Sequence, residues 1–128
     1  MSGRRTILVV EDQEDNRTIL RDLLDHAGFN VLEAVTGEEG IRAAEAHRPD
    51  LILMDIQLPL VDGYEATRRI KALPELRAIP IVAVTSYALS GDEEKARAAG
   101  CDGYITKPFS PRQLLATVRS YLPASEGE

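Results

Sequence analysis

Two hydrophobic patterns alternate along the chain, and together they predict five strands and five helices. Short runs of aliphatic and β-branched residues are typical of strands. Such runs occur at Thr6–Val10, Val31–Ala34, Leu51–Met54, Ile81–Val84 and Tyr104–Thr106. The intervening segments space their apolar residues three and four positions apart, as one face of a helix does. In the first of them, the predicted buried face consists of Ile19, Leu20, Leu23, Leu24 and Ala27.

The helix boundaries follow from capping residues and helix-stop residues. The predicted helices are Glu14–Ala27, Glu38–His47, Tyr64–Leu73, Ser90 to the stop signal Gly100, and Ser110 to Leu122. Pro74 ends the third helix. The last two begin with capping boxes, Ser90 with Glu93 and Ser110 with Gln113, in which each side chain bonds the other residue's backbone N–H.

Five strand–helix pairs in strict alternation predict an α/β fold with a parallel sheet and helices on both faces. The apolar runs of the first, third and fourth strands suit strands that are buried on both sides. A chain of 128 residues is the length of one domain. We therefore expect a single domain over residues 1–128, with a core of about 5–122 and a frayed tail at 123–128.

Composition and charge exclude several classes of function. Twenty-one acidic residues against fifteen basic ones give a net charge of −6, which argues against nucleic-acid binding because that needs a basic surface. The longest strictly apolar runs are four residues, too short for a membrane span or a secretory signal. One cysteine, Cys101, permits neither an internal disulfide nor a cysteine-rich zinc site. These features predict a cytoplasmic protein.

Polar residues follow four of the predicted strands directly. Glu11 and Asp12 follow the first strand, Asp55 the third, Thr85 the fourth and Lys107 the fifth. Because the carboxyl ends of parallel strands share one edge of a sheet, these side chains are expected to converge in one crevice.

The chemistry of this set favours a phosphoacceptor site. Three clustered carboxylates repel one another, and a divalent cation relieves that repulsion. A donor set made only of oxygen suits Mg²⁺ or Mn²⁺ rather than zinc. A carboxylate beside a cation and a lysine can attack phosphorus and form an aspartyl phosphate.

Five sequence motifs resemble those of the response-regulator receiver domain of the CheY-like kind. They are Val9–Asp12, Asp50–Pro59, Gly63, Val84–Ser86 and Gly100–Pro108, and the similarity covers about residues 5–122. The resemblance implies a flavodoxin-like sheet of five parallel strands in the order 2-1-3-4-5.

Two stretches narrow the resemblance to a subgroup of this family. The stretch Asp55–Pro59 and the run from Ala83 to Glu94 are most similar to stand-alone receivers of the DivK type and to receivers attached to hybrid histidine kinases. The resemblance therefore implies a single-domain response regulator of a two-component system or phosphorelay.

The resemblance also implies a phosphorylation site and a metal site. Asp55 matches the phosphorylated aspartate of the family. Glu11, Asp12, Asp55 and the backbone carbonyl of Gln57 match its Mg²⁺ ligands. Glu11 stands where aspartate is commoner, and its extra methylene leaves open whether it meets the metal directly or through water.

Further positions match the family's switch residues. Thr85 matches the hydroxyl that moves onto the phosphoryl group, and Tyr104 matches the aromatic residue whose rotamer follows. Lys107 matches the lysine that pairs with the phosphoryl group, and the bond before Pro108 is expected to be cis. A static core role for Tyr104 stays open, since switching cannot be deduced from sequence.

By this resemblance, the phosphoryl donor is a sensor histidine kinase or a histidine phosphotransfer protein. The output is a contact between a downstream protein and the face made by helix four, strand five and helix five. The protein is then no enzyme beyond slow self-dephosphorylation at most.

Two other functions are compatible with parts of this sequence. One is a receiver-fold interaction module that works without phosphorylation. The other is an Mg²⁺-dependent aspartyl phosphatase of the haloacid-dehalogenase type, which needs a second acid where this chain has Gln57.

Overall fold

The parallel sheet predicted from the sequence is present in the structure. The computed structural model describes residues 4–86 and 92–122. Its strands are β1 (Thr6–Val10), β2 (Asn30–Ala34), β3 (Leu51–Asp55), β4 (Ile81–Thr85) and β5 (Gly103–Thr106). All neighbouring pairs are parallel, in the order β2-β1-β3-β4-β5. The predicted strand order is therefore confirmed.

The helices lie close to their predicted bounds. They are α1 (Glu14–His26), α2 (Gly37–His47), α3 (Gly63–Ala72), α4 (Asp92–Ala99) and α5 (Pro111–Tyr121). A short 3₁₀ helix over Pro74–Leu76 was not predicted, and Pro74 begins it after ending α3. The capping box of Ser110 and Gln113 is confirmed. Ser90 of the other proposed capping box and the tail at 123–128 lie outside the described residues.

Side chains of the central strands alternate between two cores. On one face of the sheet, Leu8, Val10, Ile52 and Met54 pack with residues of α2, α3 and α4. On the other face, Ile7, Val9, Leu51 and Leu53 pack with residues of α1 and α5. The period of two follows from the pleat, which points successive side chains to opposite faces. Helices therefore cover both faces of the sheet, as predicted.

One residue assigned to the buried face of α1 is largely exposed. Ile19 was predicted to be buried, but it is 53% exposed, whereas Leu20 and Leu24 are buried. Each residue advances about 100° around a helix, so Ile19 and Leu20 cannot point the same way. Leu20 and Leu24 face the sheet and leave Ile19 at the rim of the helix face.

Within residues 4–86 and 92–122, none of the helices has the length and apolar character that crossing a bilayer requires.

Candidate functional site

The carboxyl ends of the strands bring the predicted polar residues to one edge of the sheet. The parallel register sets Asp55 beside Val84, and Thr85 beside Thr106. Just past the last ladder pair, the Lys107 N–H donates to the Thr85 carbonyl at 2.7 Å. Residues more than 90 positions apart in the sequence therefore become neighbours because their strands end together.

Three carboxylates form a tight cluster at this edge. Glu11, Asp12 and Asp55 each offer an oxygen within 4.8 Å of the other two. Glu11 is 1% exposed and Asp55 is 4% exposed, so both charges are shielded from bulk water. Like charges at this separation and burial repel strongly, and a divalent cation with a preference for oxygen ligands relieves the repulsion. The cluster thus fits a metal site.

Lys107 joins two of these carboxylates. Its Nζ lies 2.9 Å from Glu11 Oε1 and 3.6 Å from Asp55 Oδ2. The lysine side chain is itself mostly buried. The ammonium group therefore supplies a positive charge beside the carboxylate of Asp55 while held in place by Glu11.

Burial raises the pKa of Glu11 to about 7. The loss of hydration is the main cause, since it disfavours the charged carboxylate. The hydrogen bond from Lys107 opposes this effect and lowers the pKa, whereas the nearby Asp55 raises it further. Glu11 in the metal-free protein is thus poised to titrate near neutral pH.

This raised pKa predicts that the metal-free protein loses stability as the pH rises. The folded state binds the Glu11 proton more tightly than the unfolded chain, whose glutamate pKa is about 4.5. The extra stability of the folded state is complete below the pKa of the unfolded chain, and it is lost as the pH rises through about 7. The free energy of unfolding should fall by about 3 kcal/mol at most. Urea unfolding in EDTA should show this decline in wild type and a flatter profile in Glu11→Gln. Parallel profiles from about pH 5 to about pH 8 would contradict the prediction.

Asp55 is oriented by the loop that follows β3. Its Oδ1 accepts a hydrogen bond from the Gln57 N–H at 3.0 Å. The Gln57 Oε1 in turn accepts from the Ser86 N–H at 3.3 Å, which ties this loop to the end of β4. An open cavity of about 390 Å³ lies over these groups, lined by Asp12, Gln13, Asn16, Asp55, Gln57, Ser86 and Lys107. Asp55 is therefore reachable from solvent, although little of it is exposed.

The two predicted switch residues lie on neighbouring strands. Thr85, at the end of β4, is 2% exposed. Tyr104 lies on the edge strand β5, half-buried, and pairs in register with Ala83. Tyr104 thus stands two residues back along β5 from Thr106, the register partner of Thr85. The structure gathers the carboxylates and Lys107 directly, and it sets Tyr104 farther from the strand ends.

A second, larger cavity adjoins the first. It measures about 550 Å³ and is lined by Asn16, Ile19, Leu20, Ser86, Lys107, Pro108 and Phe109. The peptide bond between Lys107 and Pro108 is cis, as expected. This cavity accounts for the exposure of Ile19, which borders it rather than the core.

The sequence analysis did not identify two residues of α1 that reach the site. Asn16 lines both cavities. The Arg17 Nη1 donates to the Glu11 carbonyl at 3.0 Å. Asn16 lies four residues beyond Asp12 and Arg17 lies five, so the sequence places both in the first turn of the helix that follows the acidic pair. The contacts themselves depend on the direction of α1, which the spacing does not give.

Comparisons with known proteins agree on one family. A sequence profile described as the response regulator receiver domain matches residues 7–119. The polar-differentiation response regulator DivK of Brucella anthropi is 47% identical over 118 residues, covering 92% of this chain and 96% of the relative. DivK of Brucella ovis is 46% identical over the same shares.

Solved structures lead to the same family. The receiver domain of a sensor histidine kinase from Pseudomonas aeruginosa, with magnesium coordinated in its active-site cleft, is 39% identical. It superposes with a TM-score of 0.88 over 96% of this chain and 100% of that one. The chemotaxis protein CheY4 of Vibrio cholerae is 27% identical, with a TM-score of 0.89 over 93% of this chain and 99% of that one.

Proposed function

The chain belongs to the response regulator receiver domain family, and from that premise we propose that Asp55 is its phosphoacceptor. The donor is the phosphohistidine of a sensor histidine kinase or of a histidine phosphotransfer protein. One observation carries the proposal. Asp55 lines an open cavity, and its carboxylate has Oδ1 held by the Gln57 N–H and Oδ2 3.6 Å from the Lys107 ammonium.

The reaction is a transfer between two covalent bonds to phosphorus. A carboxylate oxygen of Asp55 bonds to phosphorus as the bond from phosphorus to the donor imidazole breaks. The electron pair of that bond leaves with the imidazole nitrogen. Lys107 stays near the transferred group and offsets its negative charge. Asp55 then carries the phosphoryl group as an acyl phosphate.

Glu11, Asp12, Asp55 and the backbone carbonyl of Gln57 would hold Mg²⁺, and Mn²⁺ suits the same oxygen donors. The cation neutralises charge on the phosphoryl oxygens when it is bound. Glu11 Oε1 already accepts from Lys107, and Glu11 Oε2 accepts from the Gln13 N–H at 3.1 Å. Each of these oxygens keeps a second lone pair, so Glu11 would hold the cation either directly or through water.

Phosphorylation would then be transmitted through Thr85 and Tyr104 to the face formed by α4, β5 and α5. The Thr85 hydroxyl donates to the phosphoryl group, and the Tyr104 side chain follows. Ala96 and Ala99 anchor α4 and are buried, and such small side chains bury little apolar area. A thinly anchored helix can shift at low energetic cost, which suits a surface that a downstream protein reads.

The remaining assignments follow from this role. Residues of about 5–122 act as one receiver domain, and we place its action in the cytoplasm. Its partners are proteins rather than nucleic acid or membrane, consistent with the net charge of −6. Turnover is limited to slow self-dephosphorylation, because the amide of Gln57 cannot serve as the general acid that a phosphatase would need there.

The proposal predicts one phosphoryl adduct that depends on Mg²⁺. Incubation with acetyl phosphate and Mg²⁺, followed by intact-mass spectrometry, should show the adduct, and the same incubation with EDTA in place of Mg²⁺ should not form it. Beryllofluoride, which mimics the acyl phosphate, should bind as well. Its binding would reveal a competent site even where the adduct hydrolyses too rapidly to be detected. A chain that neither forms the adduct nor binds beryllofluoride would be an interaction module that works without phosphorylation. Sustained hydrolysis of a chromogenic phosphate ester would instead indicate a phosphatase.

A further inference from the structure

Arg17, the fourth residue of α1, reaches back to the loop that carries the acidic pair. Its Nη1 donates to the Glu11 carbonyl at 3.0 Å and lies 3.5 Å from the Asp12 carbonyl. Its Nε donates to Glu33 Oε1 on β2 at 3.1 Å. The Arg17 side chain is only 16% exposed. One rigid group therefore links the acidic loop to both a helix and a neighbouring strand.

The backbone of Glu11 is held on both sides by groups that do not bind metal. Its N–H donates to the Ala34 carbonyl at 3.0 Å, and its carbonyl accepts from Arg17. Glu11 follows the last residue of β1, so the regular ladder no longer fixes the chain here. The direction in which the Glu11 and Asp12 side chains leave the backbone thus depends on these contacts.

We propose that Arg17 is a positioning residue for the divalent-cation site. By holding the carbonyls of Glu11 and Asp12, it keeps their carboxylates directed toward Asp55 against their mutual repulsion. This inference rests on the metal site of the proposed function. Groups that orient metal ligands from behind commonly change metal affinity by roughly tenfold or more when removed.

The charge of Arg17 acts in the opposite direction. A free guanidinium near the site would repel a cation, so its removal would tighten binding. Glu33 lies 3.1 Å away and neutralises that charge. Positioning and simple electrostatics therefore predict changes of opposite sign, and the measurement decides between them.

The chain offers a matched control. Arg21 lies one turn farther along α1, and its Nη1 pairs with the same glutamate, 3.5 Å from Glu33 Oε2. Its other ion pair is with Asp22 on its own helix. Replacing Arg21 by methionine removes an equal charge and a partner of Glu33, yet leaves the Glu11 and Asp12 carbonyls bonded to Arg17.

Isothermal titration with MgCl₂ tests the proposal. Arg17→Met should weaken Mg²⁺ binding by roughly tenfold, whereas Arg21→Met should stay within about twofold of wild type. Arg17→Lys should fall between them, since an ammonium keeps the charge but not the fork of donors. In acetyl phosphate reactions, Arg17→Met should need more Mg²⁺ for half-maximal rate and reach the wild-type rate at saturation. A merely structural role would not produce that split.

Each alternative outcome has a distinct meaning. Unchanged or tighter Mg²⁺ binding by folded Arg17→Met would overturn the positioning role. If that variant does not fold, Arg17→Lys decides: weaker binding supports the role and unchanged binding refutes it. A wild-type protein that binds no Mg²⁺ would overturn the metal site itself. This outcome differs from a failure of the Arg17 proposal because wild type and all variants would then lack Mg²⁺ binding alike.

Discussion

Asp55→Asn is expected to abolish phosphoryl uptake completely. The amide has nearly the shape of the carboxylate, so the surrounding packing is preserved. A neutral amide, however, is a poor nucleophile and cannot form an acyl phosphate. The fold should remain intact, since the change removes one of three mutually repelling carboxylates. Intact-mass spectrometry after incubation with acetyl phosphate and Mg²⁺ should show no adduct.

Asp62→Asn is the matched control for this variant. Asp62 lies in the same β3–α3 connection, and its Oδ1 caps α3 by accepting from the Glu65 N–H at 2.9 Å. Asparagine caps a helix about as well as aspartate, so uptake should equal that of wild type. A phosphoryl adduct that persists in Asp55→Asn, or that peptide mapping places on another residue, would refute the assignment.

Gly63→Ala should produce the largest loss of stability among the changes discussed. A Cβ at Gly63 would overlap the carbonyl oxygen of Asp55 and lie 2.6 Å from the Cα of Ile56. These are backbone atoms, so no rotamer change relieves the clash, and the segment carrying Asp55 must move. We expect the free energy of unfolding to fall by about 3 kcal/mol, measured by urea denaturation.

Gly28→Ala provides the comparison for that change. Gly28 has a φ of +100° but open space where a Cβ would stand. Its substitution therefore costs only the strain of a left-handed backbone, about 1–2 kcal/mol. If Gly63→Ala loses no more stability than Gly28→Ala, the close approach of α3 to Asp55 does not constrain the fold as described.

The sequence was sufficient for the architecture because local pattern and topology agree. Runs such as Leu51–Met54 are apolar throughout, and that strand is fully buried in the sheet. The alternation of strands and helices then implied a parallel sheet whose strand ends meet. The shared edge of that sheet brings the carboxylates and Lys107 together.

Other features depend on tertiary placement and could not be predicted. The hydrogen bond from Arg17 to the Glu11 carbonyl depends on the direction of α1 relative to β1, which the sequence pattern does not give. The bond between the Gln57 side chain and the Ser86 N–H requires the spacing of two loops. Ile19 has the same hydrophobicity whether it faces the core or a cavity, so periodicity alone assigned it to the wrong side.

The two-residue alternation along β3 also constrains where the protein tolerates insertions. Leu51 and Leu53 point to the α1–α5 core, and Ile52 and Met54 point to the other. One extra residue inside this strand would exchange the two sets and turn the side chain of Asp55 to the opposite face of the sheet. An added residue in a surface connection leaves the alternation of buried side chains in the strands unchanged. Insertions and deletions in related sequences should therefore fall in the connections between strands and helices, while the number of residues in β3 stays fixed.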